Sequence, residues 1–295
     1  MLKYSEFLRN LYGEKVYKIP VNTGGTCPNR DGTKGVGGCI FCSEVGAGFE
    51  LQDASVDISE QIATNMAYIR KKYNAHRFLI YFQNFTATYL PLETFRQYLF
   101  QAIKAEDIVG VVISTRPDCL DGGHLDLLSE VKSKGLDVFI ELGLQSANDD
   151  TLLKINRGHT VSDYIRGAAL VKERGFYLDT HLILNLPWDT DEDILKAATL
   201  MNRVGTDSVK LHSLHIPYGT KLFELYQAGE ITVIPKEDYF HRLYLFLNEL
   251  QPHIAVQRLF SRAPKEDTAF CNWQTSWWKL EEEYLRYAEK CLSEK

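Results

Sequence analysis

The 295-residue sequence predicts an α/β fold, an open, partial (β/α)6 TIM-like barrel followed by a C-terminal helical extension. Short and almost wholly apolar segments alternate with segments whose apolar residues recur at the helical period. Continuous apolar strands between helices indicate a parallel sheet that helices cover. About six strand–helix units precede Pro217 and the alternation stops there, so a closed eight-unit barrel is not predicted.

The elements follow from local patterns. The segment 57–73 has apolar residues at helical spacing (Ile58, Ile62, Met66), and Asp57 or Ser59 can cap its start. The predicted strands are 15–21, 77–82, 109–113, 137–143, 176–184 and 208–214. The predicted helices between them are 57–73, 92–104, 123–134, 160–174 and 191–204. Helical patterns at 220–228, 236–250 and 276–290 form the extension, so we divide the chain into a barrel over 1–220, with an N-terminal lead-in, and an extension over 221–295.

The amino-acid composition and net charge limit the classes of protein to which this chain can belong. A hydrophobic fraction of 45% is enough for a substantial core. No segment approaches the roughly 18 apolar residues of a membrane span, and the first ten residues carry scattered charges, so we expect a cytoplasmic protein without a membrane partner. The net charge of −6 argues against a globally basic nucleic-acid binder but leaves room for a local basic patch.

Three cysteines, Cys27, Cys39 and Cys42, share one glycine-rich stretch. Three thiolates can hold three irons of a cubane cluster and leave the fourth iron open for a ligand. A structural zinc site is the alternative, because a Cys-x2-Cys pair also begins zinc knuckles. The next downstream candidates for a fourth zinc ligand are distant, His76 and Cys119, so the spacing favours iron–sulfur. Disulfides are less favoured, since no signal peptide is predicted.

Polar residues follow the predicted strands. They are the segments 83–88 and 114–118, the pair Gln145–Ser146, then Asn185, and finally His212 and His215. In parallel α/β folds the C-terminal ends of the strands meet at one edge, where active sites form. The cysteine stretch follows the first strand, so all six groups are predicted to converge on one mouth.

In combination, these motifs resemble those of radical S-adenosylmethionine (SAM) enzymes of the Elp3-like group. The resemblance rests on the cysteine trio, 83–88, 115–118, 141–146, 156–160 and 182–187, in order between about residues 15 and 225. The chain is most similar to the YtqA/YhcC-like branch, which shares the run Cys-Pro-Asn-Arg-Asp-Gly-Thr and a long first cysteine gap. Eleven residues separate Cys27 from Cys39, and the closure entropy of such a loop grows only slowly with length.

The resemblance implies a [4Fe-4S] cluster on Cys27, Cys39 and Cys42 whose open iron binds the amino and carboxylate groups of SAM. One electron from a flavodoxin- or ferredoxin-like donor then cleaves SAM to a 5'-deoxyadenosyl radical, which abstracts hydrogen from the substrate. No dedicated catalytic acid or base is assigned by the resemblance.

The resemblance also implies SAM contacts. Gln145 and Arg157 contact the methionyl carboxylate or ribose, and His181 stands at a polar ribose position. The backbone near Ile40 and Phe41 edges the adenine. The alternative interpretation of the residues alone is that Gln145 and Arg157 form a strand-end cap and a surface ion pair, and that His181 is a hydrogen-bonded core histidine.

Two further strand ends complete the implied SAM site. The segment containing Gln83, Thr86 and Thr88 takes the place of the glycine-rich stretch that binds the amino group of methionine. Ser114 takes the place of a ribose-binding glutamate.

The resemblance favours tRNA as the partner, through an MnmL-type modification in which a carboxymethylaminomethyl group on the wobble uridine is trimmed to aminomethyl. Two alternatives remain: a radical SAM enzyme acting on a small molecule or a tetrapyrrole, and a zinc-stabilised, noncatalytic RNA-binding protein. The segment 257–264 and the tryptophans Trp273, Trp277 and Trp278 are candidates for the substrate side. The other interpretation is that the tryptophans fasten the C-terminal helices to the barrel.

Overall fold

A computed structural model describes residues 1–43 and 51–293. The strands are β1 (Leu2–Lys3), β2 (Val16–Val21), β3 (Arg77–Phe82), β4 (Ile108–Thr115), β5 (Asp137–Gln145), β6 (Tyr177–Ile183), β7 (Ser208–His212), β8 (His215–Pro217), β9 (Ala255–Arg258) and β10 (Thr268–Cys271). The helices are α1 (Tyr4–Tyr12), α2 (Ile58–Tyr73), α3 (Leu92–Ala102), α4 (Gly122–Ser133), α5 (Asp149–Lys154), α6 (Val161–Glu173), α7 (Asp191–Val204), α8 (Lys221–Gln227), α9 (Lys236–Glu249) and α10 (Trp277–Ser293).

The six predicted strands lie side by side in chain order. Strands β2 to β7 pair in parallel, each with the next, which confirms the partial TIM-like barrel. Within the described residues the sheet has eight strands, in the order β1-β9-β7-β6-β5-β4-β3-β2. Of the two additional strands, β1 lies at the N-terminus and β9 in the C-terminal extension, and β9 pairs in parallel with both β7 and β1.

The C-terminal extension therefore contains more than helices. Its strand β9 joins the main sheet, and its strand β10 forms an antiparallel pair with β8. The boundary near residue 220 remains our proposal for dividing the chain, with β9 reaching back across it. No helix in the described part of the chain is long and apolar enough to cross a membrane.

Several helices begin where a side chain caps the first turn. Asp57 accepts a hydrogen bond from the Ser59 N–H at the start of α2, as the sequence predicts. Thr160 and Asp163 form a reciprocal capping box at α6, and Thr190 and Asp193 form another at α7.

The two faces of the sheet are buried differently. The outer face packs against the helices in one large apolar core. The inner face is apolar only near the N-terminal ends of the strands, where Leu79, Val112 and Phe139 contact Tyr4 and Leu8 of α1 in a second cluster. Helix α1 thus closes the bottom of the half-barrel and leaves the upper part of the inner face to polar side chains.

This closure predicts that Leu8→Ala destabilises the fold far more than Leu11→Ala on the same helix. Leu8 is 3% exposed and Leu11 38%. Removing the buried side chain leaves a cavity and costs about 2–5 kcal/mol of unfolding free energy, whereas the exposed one costs less than about 1 kcal/mol. Urea unfolding of both variants measures the difference. Equal losses would show that α1 does not close the barrel.

Candidate active site

A cavity of about 510 Å³ opens at the C-terminal ends of the parallel strands. Except for Thr88, every site residue predicted from the sequence lines it. These residues are Cys27, Cys39, Phe41, Cys42, Gln83, Thr86, Ser114, Gln145, Arg157 and His181. Five of the six groups predicted to converge on one mouth contribute to its wall. Asn185, the sixth, does not line the cavity and instead accepts from the Leu214 N–H. The volume lies within the range of small-molecule sites.

The cysteine loop is fastened to the turn that follows α5. The side-chain amide of Asn29 donates to the carbonyl oxygen of Asn156 at 2.5 Å, and Asn156 Nδ2 donates to the Gly38 carbonyl oxygen at 2.8 Å. The carboxamide of Asn29 also lies against Gly158, where an added Cβ would stand 2.6 Å from Asn29 Oδ1. Gly158 has φ +71°, so both its conformation and this close approach require glycine.

The three thiols differ in exposure. Cys27 and Cys39 are buried, and Cys42 is half-buried. Burial raises the pKa of the Cys42 thiol. Among the described residues no fourth cysteine lines the cavity, and no three His, Cys, Asp or Glu side chains are grouped closely enough to hold a single metal ion. The ligands of a cubane cluster bind three different irons, so they need not converge on one point.

Each cysteine sulfur is approached by a different guanidinium group. Nη1 of Arg116 lies 3.9 Å from the sulfur of Cys27. Nη1 of Arg157 lies 3.5 Å from the sulfur of Cys39, and Nη1 of Arg30 lies 3.5 Å from that of Cys42. Positive charge and N–H donors beside sulfur stabilise an anionic cluster. The donor set therefore fits a cluster held by Cys27, Cys39 and Cys42.

The predicted SAM contacts surround this loop. Gln145 ends β5 with φ +80°, a conformation that side chains adopt at a strain cost and that is concentrated at functional sites. Arg157 donates from NH2 to the Gly143 carbonyl oxygen at 2.7 Å, while its buried Nε–H has no hydrogen-bond partner. His181 lies deeper, with Nε2 2.8 Å from Glu141 Oε2.

Thr88 lies outside the cavity wall. Its hydroxyl is within hydrogen-bond distance, 2.6 Å, of both the Thr115 hydroxyl and the Cys119 carbonyl oxygen. These contacts join the turn after β3 to the end of β4. The structure therefore gives Thr88 a bracing position, whereas Gln83, Thr86 and Ser114 face the cavity.

Beneath the mouth, a buried carboxylate organises the inner face. Glu141 is fully buried, and its Oε1 accepts from Lys18 at 2.5 Å. Its Oε2 accepts from the Tyr81 hydroxyl at 2.6 Å and from Lys210 at 3.3 Å. These contacts keep the pKa of Glu141 well below its usual value despite the cost of burial, so the group is ionised.

Histidines on the same face are held neutral. Burial and the charge of Lys210 lower the pKa of His181 to about 4, and burial and the charge of Arg258 lower that of His215 to about 4. His212 shifts in the same direction for the same reasons, and its Nδ1 lies 2.8 Å from Arg258 NH2.

Several cavity residues were not singled out from the sequence as site residues: Lys18, Tyr81, Lys210, Arg30 and Arg116. Lys18 and Lys210 interrupt otherwise apolar strands, and that interruption is a usable signal, because a charge in a central strand needs a partner. Arg30 and Arg116 gave no comparable signal, because their contacts with sulfur depend on how the cysteine loop folds.

The C-terminal segment places cationic side chains in the cavity wall, whereas its tryptophans lie outside that wall. Five residues of the segment 257–264, which stays a candidate for the substrate side, line the cavity: Gln257, Arg258, Ser261, Arg262 and Ala263. None of the three tryptophans lines it. Trp273 donates to the Ile234 carbonyl oxygen and packs on Tyr239 and Phe270, and Trp277 stacks on Arg262 at 3.9 Å.

The cysteine trio, the half-barrel and the mouth agree with comparisons to known proteins. Residues 21–201 match the model of the radical SAM superfamily, and residues 206–289 match the radical SAM C-terminal domain. The chain belongs to the radical SAM superfamily. It is an enzyme of that type, and the family implies a [4Fe-4S] cluster and SAM.

Relatives identify the branch. The chain is 36% identical to YhcC of Escherichia coli over 280 residues, which covers 95% of this chain and 89% of YhcC. It is 31% identical to YtqA of Bacillus subtilis over 273 residues, covering 92% and 84% of the two chains. The structure of archaeal Methanocaldococcus infernus Elp3 has the same fold, with a TM-score of 0.70 at 18% identity over 93% of this chain and 63% of that one. The resemblance to the YtqA/YhcC-like branch and to Elp3 is thereby confirmed.

The guanidinium contacts predict that Arg30→Gln lowers the reduction potential of the cluster. Loss of one positive charge beside Cys42 makes the added electron less favourable, by tens of millivolts. Redox titration followed by electron paramagnetic resonance (EPR) measures the shift. Arg166→Gln, on the exposed face of α6, is the matched control and leaves the potential unchanged. Equal potentials in wild type and Arg30→Gln would contradict the electrostatic role.

The neutral histidines predict acid sensitivity. The unfolded chain protonates His215 below about pH 6.5, whereas the folded chain does so only near pH 4. The stability that His215 contributes is therefore fully present above pH 6.5 and is lost as pH falls toward 4. His215→Gln should flatten the pH dependence of the unfolding free energy by about 3 kcal/mol across that range, whereas His253→Gln, at an exposed position, should not. Parallel curves for wild type and His215→Gln would contradict the assignment.

Proposed function

We propose that this radical SAM enzyme acts on the modified wobble uridine of tRNA and trims a carboxymethylaminomethyl group to aminomethyl. The observation that carries the proposal is the shared cavity, in which the three cysteines and a deep polar floor line the same enclosed space. When bound, the cluster and SAM supply a radical that abstracts hydrogen, and a carbon beside an amine is a suitable position for that abstraction.

In this proposal the chain's own residues hold and orient the cofactors. Cys27, Cys39 and Cys42 hold the cluster. Gln145 orients SAM from the end of β5 and Arg157 from the turn after α5, and a guanidinium group suits a carboxylate because its N–H groups can bind both oxygens. Phe41, on the same cavity wall, edges the adenine. The closed bottom of the half-barrel limits the access of water to the reacting carbon.

Two features support tRNA as the substrate. The chain is similar to the Elp3-like group, which includes enzymes of the wobble uridine. The mouth also carries two arginines in this acidic protein, Arg30 and Arg262, and local positive charge attracts a phosphate backbone. Arg30 lies over the Phe85 ring and Arg262 over the Trp277 ring. Planar cation–aromatic pairs of this kind also suit stacking with bases.

The proposal includes a reducing partner and a compartment. A flavodoxin- or ferredoxin-like protein supplies the electron, and we place the enzyme in the cytoplasm, where thiols are kept reduced.

The test is anaerobic reconstitution of the protein with iron and sulfide, followed by incubation with SAM, dithionite and bulk tRNA that retains carboxymethylaminomethyluridine. Mass spectrometry of the nucleosides and of 5'-deoxyadenosine reads out the reaction. We expect both 5'-deoxyadenosine and aminomethyluridine from the wild type, and neither from Cys39→Ala, which lacks one cluster ligand.

Two negative results have different meanings. Failure to form 5'-deoxyadenosine in protein with a full cluster contradicts the role given to the cavity. Formation of 5'-deoxyadenosine with an unchanged wobble nucleoside contradicts the tRNA assignment alone. Cys291→Ala is a matched control, because Cys291 lies on α10 outside the cavity wall, and it should retain both products.

A further inference from the structure

A stacked arginine lies at the mouth of the cavity. Arg262 is exposed and lines the cavity, and its guanidinium carbon lies 3.9 Å from the centre of the Trp277 ring. The indole covers one face of the guanidinium, so the other face and the N–H edges stay open to a ligand. Among the residues that the structure describes, none accepts a hydrogen bond from this guanidinium. We call Arg262 and Trp277 together the arginine platform.

The main chain just before Arg262 is anchored by three buried polar side chains, those of Ser213, Ser261 and Asn272. The Ser261 N–H donates to Ser213 Oγ at 3.0 Å, and the Ser261 hydroxyl donates to the Ser213 carbonyl oxygen at 2.6 Å. Asn272 Nδ2 donates to the Ser261 carbonyl oxygen at 2.8 Å, and Asn272 Oδ1 accepts from the Ser213 hydroxyl at 2.5 Å. Because Ser213 follows the last residue of β7, these bonds fix the backbone of the platform to the rim of the barrel.

The segment that joins this anchor to Trp277 is a strained turn. Residues 272–274 have φ of +52°, +50° and +58° in succession. L-residues adopt this left-handed conformation singly and at a cost, so three in a row persist only where neighbouring contacts hold them. The Trp273 indole supplies one such contact by donating to the Ile234 carbonyl oxygen at 3.0 Å. The turn directly precedes Trp277 at the start of α10 and thereby sets where the indole meets the guanidinium.

The chemistry of the platform suits a nucleotide. A guanidinium plane stacks on bases as it does on an indole, and its N–H groups donate to phosphate oxygens. A guanidinium whose plane is already fixed also loses less conformational entropy when it binds. Arg262 lines the same cavity as the three cysteines, so a base on the platform belongs to a nucleotide next to the one whose side chain enters the cavity.

We propose that Arg262, backed by Trp277 and positioned by Asn272, stacks on a nucleobase beside the wobble nucleotide of the RNA substrate. The inference rests on the proposed function in one respect, since it takes the substrate to be an RNA whose wobble side chain enters the cavity. Arg262 then selects unpaired RNA at the mouth, because the bases of a loop can be splayed out and stacked on a protein group. Asn272 is a positioning residue that acts through Arg262.

The test uses anticodon stem-loop RNAs with carboxymethylaminomethyluridine at the wobble position and the fluorescent base 2-aminopurine on one side of it or the other. The fluorescence of 2-aminopurine falls when the base stacks, and the anisotropy of an end-labelled copy measures affinity. Binding is recorded with reconstituted protein in the presence of SAM and without reductant. We expect the wild type to quench 2-aminopurine at one of the two positions.

Arg262→Gln should weaken binding about tenfold and abolish the quenching, since stacking on one base contributes about that much. Arg262→Lys keeps the charge without the plane, so it should recover part of the affinity and none of the quenching. Arg286→Gln, at an exposed position on α10, is the matched control and should bind and quench as the wild type does. Thermal melting establishes that each variant is folded before its affinities are compared.

Asn272→Gly tests the positioning role. Glycine adopts the left-handed conformation without strain, so this change removes the side-chain hydrogen bonds and keeps the turn. It should weaken RNA binding several-fold and reduce the quenching. In the Arg262→Gln background it should cause no further loss, because Asn272 acts through Arg262. Additive losses in the double variant overturn the positioning role, since a merely structural residue weakens binding whether or not Arg262 is present.

Other results separate the platform from the proposed function. Unchanged affinity and quenching in Arg262→Gln overturn the platform, and so does full quenching in Arg262→Lys. Weaker SAM binding in Arg262→Gln, measured by calorimetry, overturns it by assigning the arginine to the cofactor. If Arg262→Gln loses binding and quenching but the wild type leaves the wobble nucleoside unchanged, the platform stands and the trimming assignment falls. If the wild type trims bulk tRNA but quenches neither RNA, the platform falls and the trimming assignment stands.

Discussion

The position of the cysteine loop depends on one amide side chain. Asn29 is 1% exposed. Its side-chain amide donates to the Asn156 carbonyl oxygen, and its main-chain carbonyl oxygen accepts from the Gly38 N–H. Its carboxamide fits only because Gly35 and Gly158 have no Cβ; an added Cβ would stand 2.5 and 2.6 Å from Asn29 Oδ1. The loop is thereby joined to the turn that carries Arg157, so the cysteines and the predicted SAM contact are positioned together.

Charge is the second constraint on the site. Arg30, Arg116 and Arg157 bring a guanidinium to each cysteine sulfur, and Lys18 and Lys210 surround Glu141 on the floor. Cations therefore lie at both ends of the cavity. Such an arrangement favours anions in the cavity, and an anionic cluster on the cysteines meets that condition. The neutral state of the nearby histidines follows from the same field.

The sequence predicted the central architecture because strong local signals produced it. Strands β2 to β7 are apolar runs between amphipathic helices, and the observed bounds lie within a few residues of the predicted ones. Strand β9 was missed because four residues, two of them polar, give little periodic signal, and it forms by pairing with β7. Helix α1 was missed for a related reason: burial of its apolar face depends on the distant strands β3 to β5.

The candidate site likewise has residues that the sequence could predict and contacts that it could not. The cavity residues at strand ends could be predicted, since the parallel topology alone brings Cys27, Ser114 and Gln145 to one edge. The contacts that tune them could not, because they join residues far apart in the chain, such as Arg116 and Cys27. Thr88 shows the limit of position-based inference, since its motif reaches the mouth while its side chain is hydrogen-bonded outside the cavity wall.

The most direct test of the central claim is the EPR spectrum of the reconstituted and reduced protein, recorded with and without SAM. If three cysteines hold the cluster and leave one iron open to the cavity, the protein should show a [4Fe-4S]⁺ signal whose g-values shift when SAM binds that iron. A reduced cluster signal that is identical with and without SAM, or a protein that retains zinc and takes up no iron, would contradict the account.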